Sequence, residues 1–195
     1  MDFKTLIEKR RSIRKYDARP VPQEVVDRLV AATLTAPSSR NSHSTHLMVI
    51  DDAETIARMA QMRDYGAAFL KNAPLAIVVM GDQSVTDKWV VNASISATVL
   101  QLACVDEGLG SCWVHADQSL QRKDEPDGPK ADAFLREMLP IPDHFGVLCV
   151  MAIGYSDFEP APLPEWDRDA NLAEYTFDYS VLRNKNLFCC FSLCK

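Results

Sequence analysis

The chain has 195 residues, 47% of them hydrophobic, and its 27 acidic residues outnumber its 21 basic ones to leave a formal charge of -6. That length suits one well-filled core better than two, and the acidic balance leaves no basic face to neutralise a run of nucleic-acid phosphates. No apolar stretch is expected to span a bilayer, and the alternating acidic and basic residues from Asp2 to Arg11 lack a signal-peptide core, so a single cytoplasmic unit is expected.

A first helix is expected from Phe3, Leu6 and Ile7, which repeat at helical spacing and lead up to Arg10. The run Arg10-Arg11-Ser12-Ile13-Arg14-Lys15-Tyr16 follows; if residues 12 to 16 are extended, Ser12 and Arg14 share one face and Ile13 and Lys15 the other. Pro22 suits the first position of a second helix, with Glu24 in its opening turn and Val25, Val26, Leu29, Val30 and Thr33 on its buried side, and Pro37 stops it. A polar turn, Ser38 to Ser44, runs into a short strand over His46-Leu47-Met48-Val49-Ile50. Asp52 suits the N-cap of a third helix that carries Ile56 and Met59 inward.

Pro74 to Met80 is continuous and β-branched, the pattern of a fully buried strand. From about Thr86 to Asp106 the chain is apolar on most faces, as suits a helix in the middle of a protein or at a subunit interface, and Gly108-Leu109-Gly110 ends it because glycine tolerates the left-handed cap. Ser111-Cys112-Trp113-Val114 and Gly146 to Ile153 read as strands, with a charged loop, Gln121 to Lys130, between them. Pro160, Pro162 and Pro164 mark an extended connector. Beyond it Tyr175, Phe177, Tyr179 and Val181 alternate with polar residues, a strand suited either to another subunit's sheet or to the edge of its own. Cys104, Cys112 and Cys149 lie in apolar runs and read as buried thiols. Cys189, Cys190 and Cys194 sit in a greasy terminal stretch that is packed, bound to a partner, lipidated or without a specific role, although Cys194 is too near the end to match a prenylation box.

The chemistry concentrates in four polar nodes: the Arg10/Arg14 cluster, the Ser38/Ser39/Asn41 turn, Lys71-Asn72 ahead of Pro74, and Gly108 to Ser111. Arginine grips phosphate through paired, charge-assisted hydrogen bonds and a serine hydroxyl completes the donor set, so the first two nodes suggest a phosphorylated ligand; the plainer reading is a solvated helix end. The small residues at Gly108 to Ser111 would let a flat ring approach the main chain. No Walker loop or Gly-x-Gly-x-x-Gly is present. His43 and His46 are three apart with no third metal ligand in view, and Ser111-Cys112 lacks the base and orienter of a nucleophile.

In order and spacing, Arg10 to Tyr16, Ala36-Pro37-Ser38-Ser39-x-Asn41, Lys71-Asn72-Ala73-Pro74, Gly108 to Trp113, Leu139-x-Ile141-Pro142 and Ala152-Ile153-Gly154-Tyr155 resemble the flavin-dependent nitroreductase superfamily over about residues 3 to 158. The resemblance implies an α+β fold, an α-β-α sandwich around a central mixed sheet, with residues 1–158 as the FMN-binding domain and 159–195 as a C-terminal arm that embraces the partner subunit. It implies a homodimer with FMN at the subunit interface. Arg10, Ser12 and Arg14 would bind the phosphate and ribityl end beside Arg11, while Pro37, Ser38, Ser39 and Asn41 of the other subunit approach the ring. Asn72 and Lys71 would meet the flavin's polar edge or ribityl chain, Gly108, Leu109, Gly110 and Ser111 would lie near the ring through the backbone, and Arg183, or Lys185 or Arg168, would complete the phosphate site. Where many members carry Gln-Pro-Trp after this Asn, the chain reads Ser42-His43-Ser44-Thr45-His46.

The expected activity is NAD(P)H-dependent reduction of nitroaromatics, quinones or similar electrophiles by alternating hydride transfer through flavin N5, with no side-chain nucleophile. The rivals are a specialised dehalogenase or flavin-modifying enzyme of the same fold and a flavin-binding dimer without turnover.

Overall fold

A computed structural model of the chain describes residues 1–163 and residue 165. The expected strand at Tyr175 to Val181, the terminal cysteines, and Arg168, Arg183 and Lys185 lie outside the described residues. In chain order the elements are α1 (Phe3–Lys9), α2 (Gln23–Leu34), β1 (Thr45–Ile50), α3 (Ala53–Met59), β2 (Leu75–Asp82), α4 (Trp89–Asp106), β3 (Gly110–His115), α5 (Ala131–Met138) and β4 (Phe145–Gly154), with short 3-10 turns at Ser39–Asn41, Ala60–Met62 and Ala68–Asn72.

Helices cover both faces of β2, which is why its sequence does not alternate. Ala76, Val78 and Met80 point into one core with Ile56 and Met59 of α3 and Leu135 of α5. Leu75, Ile77 and Val79 point into the other, with Val25, Val26 and Leu29 of α2 and Ala93, Ala97, Leu100 and Cys104 of α4. The result is an α+β sandwich of helix, sheet and helix layers, as the resemblance implied. The strand order is β1-β2-β4-β3 with every neighbour antiparallel, and the parallel contribution is an isolated bridge between Ser12 and Ser111 at the β3 edge. A continuous apolar strand therefore reports two covered faces and not a parallel sheet.

Several ends are set by local chemistry. The Asp52 carboxylate accepts the Thr55 amide at 2.7 Å and caps α3. At the end of α4, Leu109 donates to Cys104 O at 2.7 Å and Gly108 to Val105 O at 3.1 Å, a double-bonded cap that needs the left-handed φ of 73° at Gly108. Pro22 stands at the N-cap of α2, one place earlier than expected. Helix α1 contributes no buried residue and leaves Phe3 and Ile7 exposed. One expectation is corrected: α4 is, by length and a mean hydropathy of 1.3, apolar enough to cross a membrane, where no such stretch was expected. One side of α4 packs against β2, β4 and α2, with Asn92, Ser96 and Gln101 among its buried residues, while Val91 and Ile95 on it stay exposed.

Candidate functional site

Residues 12 to 16 lie against the ends of β3 and β4. The Ile13 amide donates to Ser111 O at 3.0 Å and the Asp17 amide to Tyr155 O at 2.9 Å. Ile13 is buried, while Ser12 and Arg14 are exposed on the other side; Lys15 is also exposed, with its ammonium 5.1 Å from the Phe158 ring. This docking depends on Gly110, where a Cβ would lie 2.7 Å from Ile13 Cγ2. Tyr16 pins the far end: its hydroxyl donates to Ile13 O at 2.5 Å and lies 3.2 Å from Ala152 O. Burial holds the phenol far above its ordinary pKa, so it remains a donor.

Arg14 stands at the mouth of a cavity of about 440 Å³ lined also by Lys15, Tyr16, Asp17, Ala18 and Asn72. Its guanidinium is 5.7 Å from the ring of Phe69, which belongs to the same 3-10 turn as Lys71 and Asn72, and it makes a long bond of 3.4 Å to Ser12 O. Asp17 is paired with Arg19 at 2.6 Å, an interaction that keeps its carboxyl below the usual range and offsets the one acid on the cavity wall. Arg14 of the first node and Asn72 of the third are thus brought to one cavity, which Arg10 and Lys71 do not line.

The second node is elsewhere. Ser38 to Ser44 forms a turn in which Arg40, Asn41 and His43 all have positive φ. Buried Asn92 of α4 accepts the Ser39 amide at 2.9 Å and donates to Ser42 Oγ at 3.1 Å and Ser44 Oγ at 2.9 Å, and Ser38 Oγ accepts the His43 amide at 3.0 Å. A cavity of about 220 Å³ beside the turn is lined by Leu34, Ala36, Ser38, His43, Thr45 and Ser96. The composition of the turn was legible; the contact from Asn92 was not.

These half-sites occupy opposite ends of one sheet. Tyr16 bonds at the level of Ala152, the register partner of Ala76, whereas Ser44 O accepts the amide of Asp82. Ala76 and Asp82 are six residues apart on β2, or about 20 Å at roughly 3.4 Å per residue. Within one chain, therefore, the segment that carries Arg14 and the turn that carries Ser39 lie at opposite ends of the sheet.

The fourth node is mostly occupied. The space over Gly110 is filled by Ile13, Ser111 O is taken by the Ile13 amide, and the Ser111 side chain is buried beside Cys104. Arg11 folds back to donate to Glu8 O at 2.5 Å and Arg10 O at 3.0 Å. It lines a separate cavity of about 390 Å³ with Lys9, Gly108, Leu109 and Gly110. The Cys112 thiol, beneath Ser12 and Arg14, is pushed up by burial, which leaves it a packed thiol. His46 meets Phe145 edge to face at 4.6 Å, and among the described residues no cluster of three or more His, Cys, Asp or Glu could hold a metal.

Residues 7–63 and 57–155 match the model of the Nitroreductase family. The chain belongs to the nitroreductase family. It is 37% identical to an FMN-dependent nitroreductase from Clostridium difficile, whose solved structure it matches with a TM-score of 0.81 over 88% of this chain and 98% of that one. A protein of Methanothermobacter thermautotrophicus, provisionally named NADH dehydrogenase/NAD(P)H nitroreductase, is 31% identical over 87% of this chain and 85% of its own. A protein of Archaeoglobus fulgidus with the same provisional name is 33% identical over 77% and 83%. The chain is thus a nitroreductase-family oxidoreductase, and the cavity beside Arg14 has a donor set whose chemistry suits an anionic group such as a phosphate. It offers guanidinium, ammonium and amide donors from Arg14, Lys15 and Asn72, and its one carboxylate is already paired.

Proposed function

We propose that the protein is an FMN-dependent oxidoreductase, a cytoplasmic homodimer that uses NADH or NADPH to reduce nitroaromatics, quinones or similar electrophiles. The observation that carries this reading is the separation of the two half-sites along β2. A pocket that needs both Arg14 and the Ser38 to Asn41 turn is complete only when a second copy supplies the turn. Exposed apolar residues of α1, α2 and α4, namely Phe3 (71% exposed), Ile7, Leu34, Val91 (54%) and Ile95, give that copy a surface to cover.

In this reading Arg14, with Arg10, Ser12 and the main chain at Arg11, neutralises the phosphate, and Asn72 and Lys71 bond the ribityl chain or the polar edge of the ring. Pro37, Ser38, Ser39 and Asn41 of the second copy close over the ring and limit water. Gly108 to Ser111 acts one step back, by seating the segment that carries Ser12 and Arg14. FMN held there would supply the hydride-transfer chemistry between nicotinamide and acceptor. The chain's own task is to hold the two reactants in turn over one place, which does not call for a nucleophile.

The test is the absorption spectrum of the purified protein after FMN loading. Flavin bands that NADH or NADPH bleaches without oxygen, and that menadione restores, are expected. Arg14→Ala should weaken FMN binding roughly tenfold or more, consistent with loss of a charge-assisted phosphate contact, while the melting curve without FMN stays close to wild type. Colourless protein after FMN loading would remove the flavin reading, and unchanged FMN affinity in Arg14→Ala would return the basic cluster to a solvated helix end.

A further inference from the structure

The Ser38 to Ser44 turn is a strained shape that its own bonds hold only in part: the Asn41 and Ser42 amides donate to Ser38 O and Ser39 O, and the His43 amide to Ser38 Oγ. Arg40, Asn41 and His43 have φ of 55°, 54° and 46°, a region that costs an ordinary L residue on the order of 1 kcal/mol. Such a run persists only where its surroundings over-determine it. The three bonds from Asn92 land on Ser39, Ser42 and Ser44, on either side of those residues. They use the acceptor and the donors of one amide, which is 1% exposed and fixed to a helix that packs on the sheet.

We infer that Asn92 is a positioning residue: it holds Ser39 and Asn41 in the shape in which they meet the cofactor and the acceptor bound by the second subunit. The inference rests on the shared pocket proposed above. Asn92 need not touch either ligand. It turns a polar loop, free to take many shapes, into a preformed wall, and misplacing such a wall by about 1 Å costs up to about a hundredfold in rate.

The experiment uses full-length protein with Asn92→Ala, and Ser42→Ala as a milder variant that removes one of the three bonds. FMN titration and steady-state kinetics with NADH and menadione at saturating FMN are the readouts, taken well below the melting temperature. For Asn92→Ala the FMN dissociation constant and the menadione KM should rise and kcat/KM fall about tenfold; Ser42→Ala should shift the same quantities about two- to threefold in the same direction. A purely structural amide would lower the melting temperature and leave binding and kcat/KM within about twofold of wild type. That result in both variants overturns the inference. To separate it from the shared pocket, equal amounts of Arg14→Ala and Asn92→Ala protein are unfolded and refolded together. If the turn serves the other subunit, the mixed dimers contain one undamaged site and about a quarter of wild-type activity returns. No return, with Asn92→Ala alone still impaired, overturns the shared pocket and supports the clamp.

Discussion

Tyr16 has one hydroxyl proton and two carbonyl oxygens near it, Ile13 O and Ala152 O, one on the segment that carries Arg14 and one on β4. Tyr16→Phe keeps the ring and removes the donor. It should destabilise the protein by about 1–2 kcal/mol, read as an earlier urea midpoint at unchanged slope. A midpoint equal to wild type would show that the ring alone seats the segment. Residues also differ in how well a sequence announces them. That Arg14 and Asn72 stand out as candidates is legible because an exposed charge or amide beside a buried strand has little structural work to do. Asn92 was not, because its meaning depends on a turn 50 residues earlier, and nothing within its own helix records that contact.

At the level of elements, the approach of the 12 to 16 segment to β3 is set by the missing side chain at Gly110. A methyl there would meet Ile13 Cγ2 at 2.7 Å and Ile13 Cβ at 2.8 Å, and a Cβ cannot swing aside as a side-chain tip can, so the segment itself must shift. Gly110→Ala should therefore raise the FMN dissociation constant about tenfold while the far-ultraviolet circular dichroism stays that of the wild type. An unshifted FMN titration would mean that the segment yields without moving Arg14. The same element logic explains what the sequence could and could not show. The four strands and α4 were legible because β-branched runs and a long, nearly uninterrupted apolar helix stand out from their polar flanks. Helix α5 went unread although Ala131, Phe134, Leu135 and Met138 stand at i, i+3, i+4 and i+7 and face the core; at eight residues directly after a charged loop, the stripe is short. The sheet's direction was not legible either, because burial on two faces is indifferent to whether neighbours run parallel or antiparallel.

Among the described residues, the sandwich buries the thiols of Cys104, Cys112 and Cys149 and much of the Tyr16 phenol, groups whose charged form is the deprotonated one, and this shapes how stability responds to alkali. Desolvation raises the thiol of Cys104 from 9.0 to about 12, holds that of Cys149 well above 9.0, and raises Cys112 and the Tyr16 phenol in the same direction. In the unfolded chain these groups titrate near their ordinary values. Their contribution is thus complete below about pH 9 and is lost as pH rises toward 12, because over that range the unfolded chain releases protons that the folded one keeps. Each group that titrates only in the unfolded chain lowers stability by up to about 1.4 kcal/mol per pH unit. Urea unfolding at intervals from about pH 8 to about pH 10.5 should show a steepening loss of stability. Cys149→Ala removes one such group at small change in volume, so its curve should fall less steeply than the wild type's above about pH 9. Parallel curves for the two proteins would mean that the Cys149 thiol ionises as readily inside the sheet as in water.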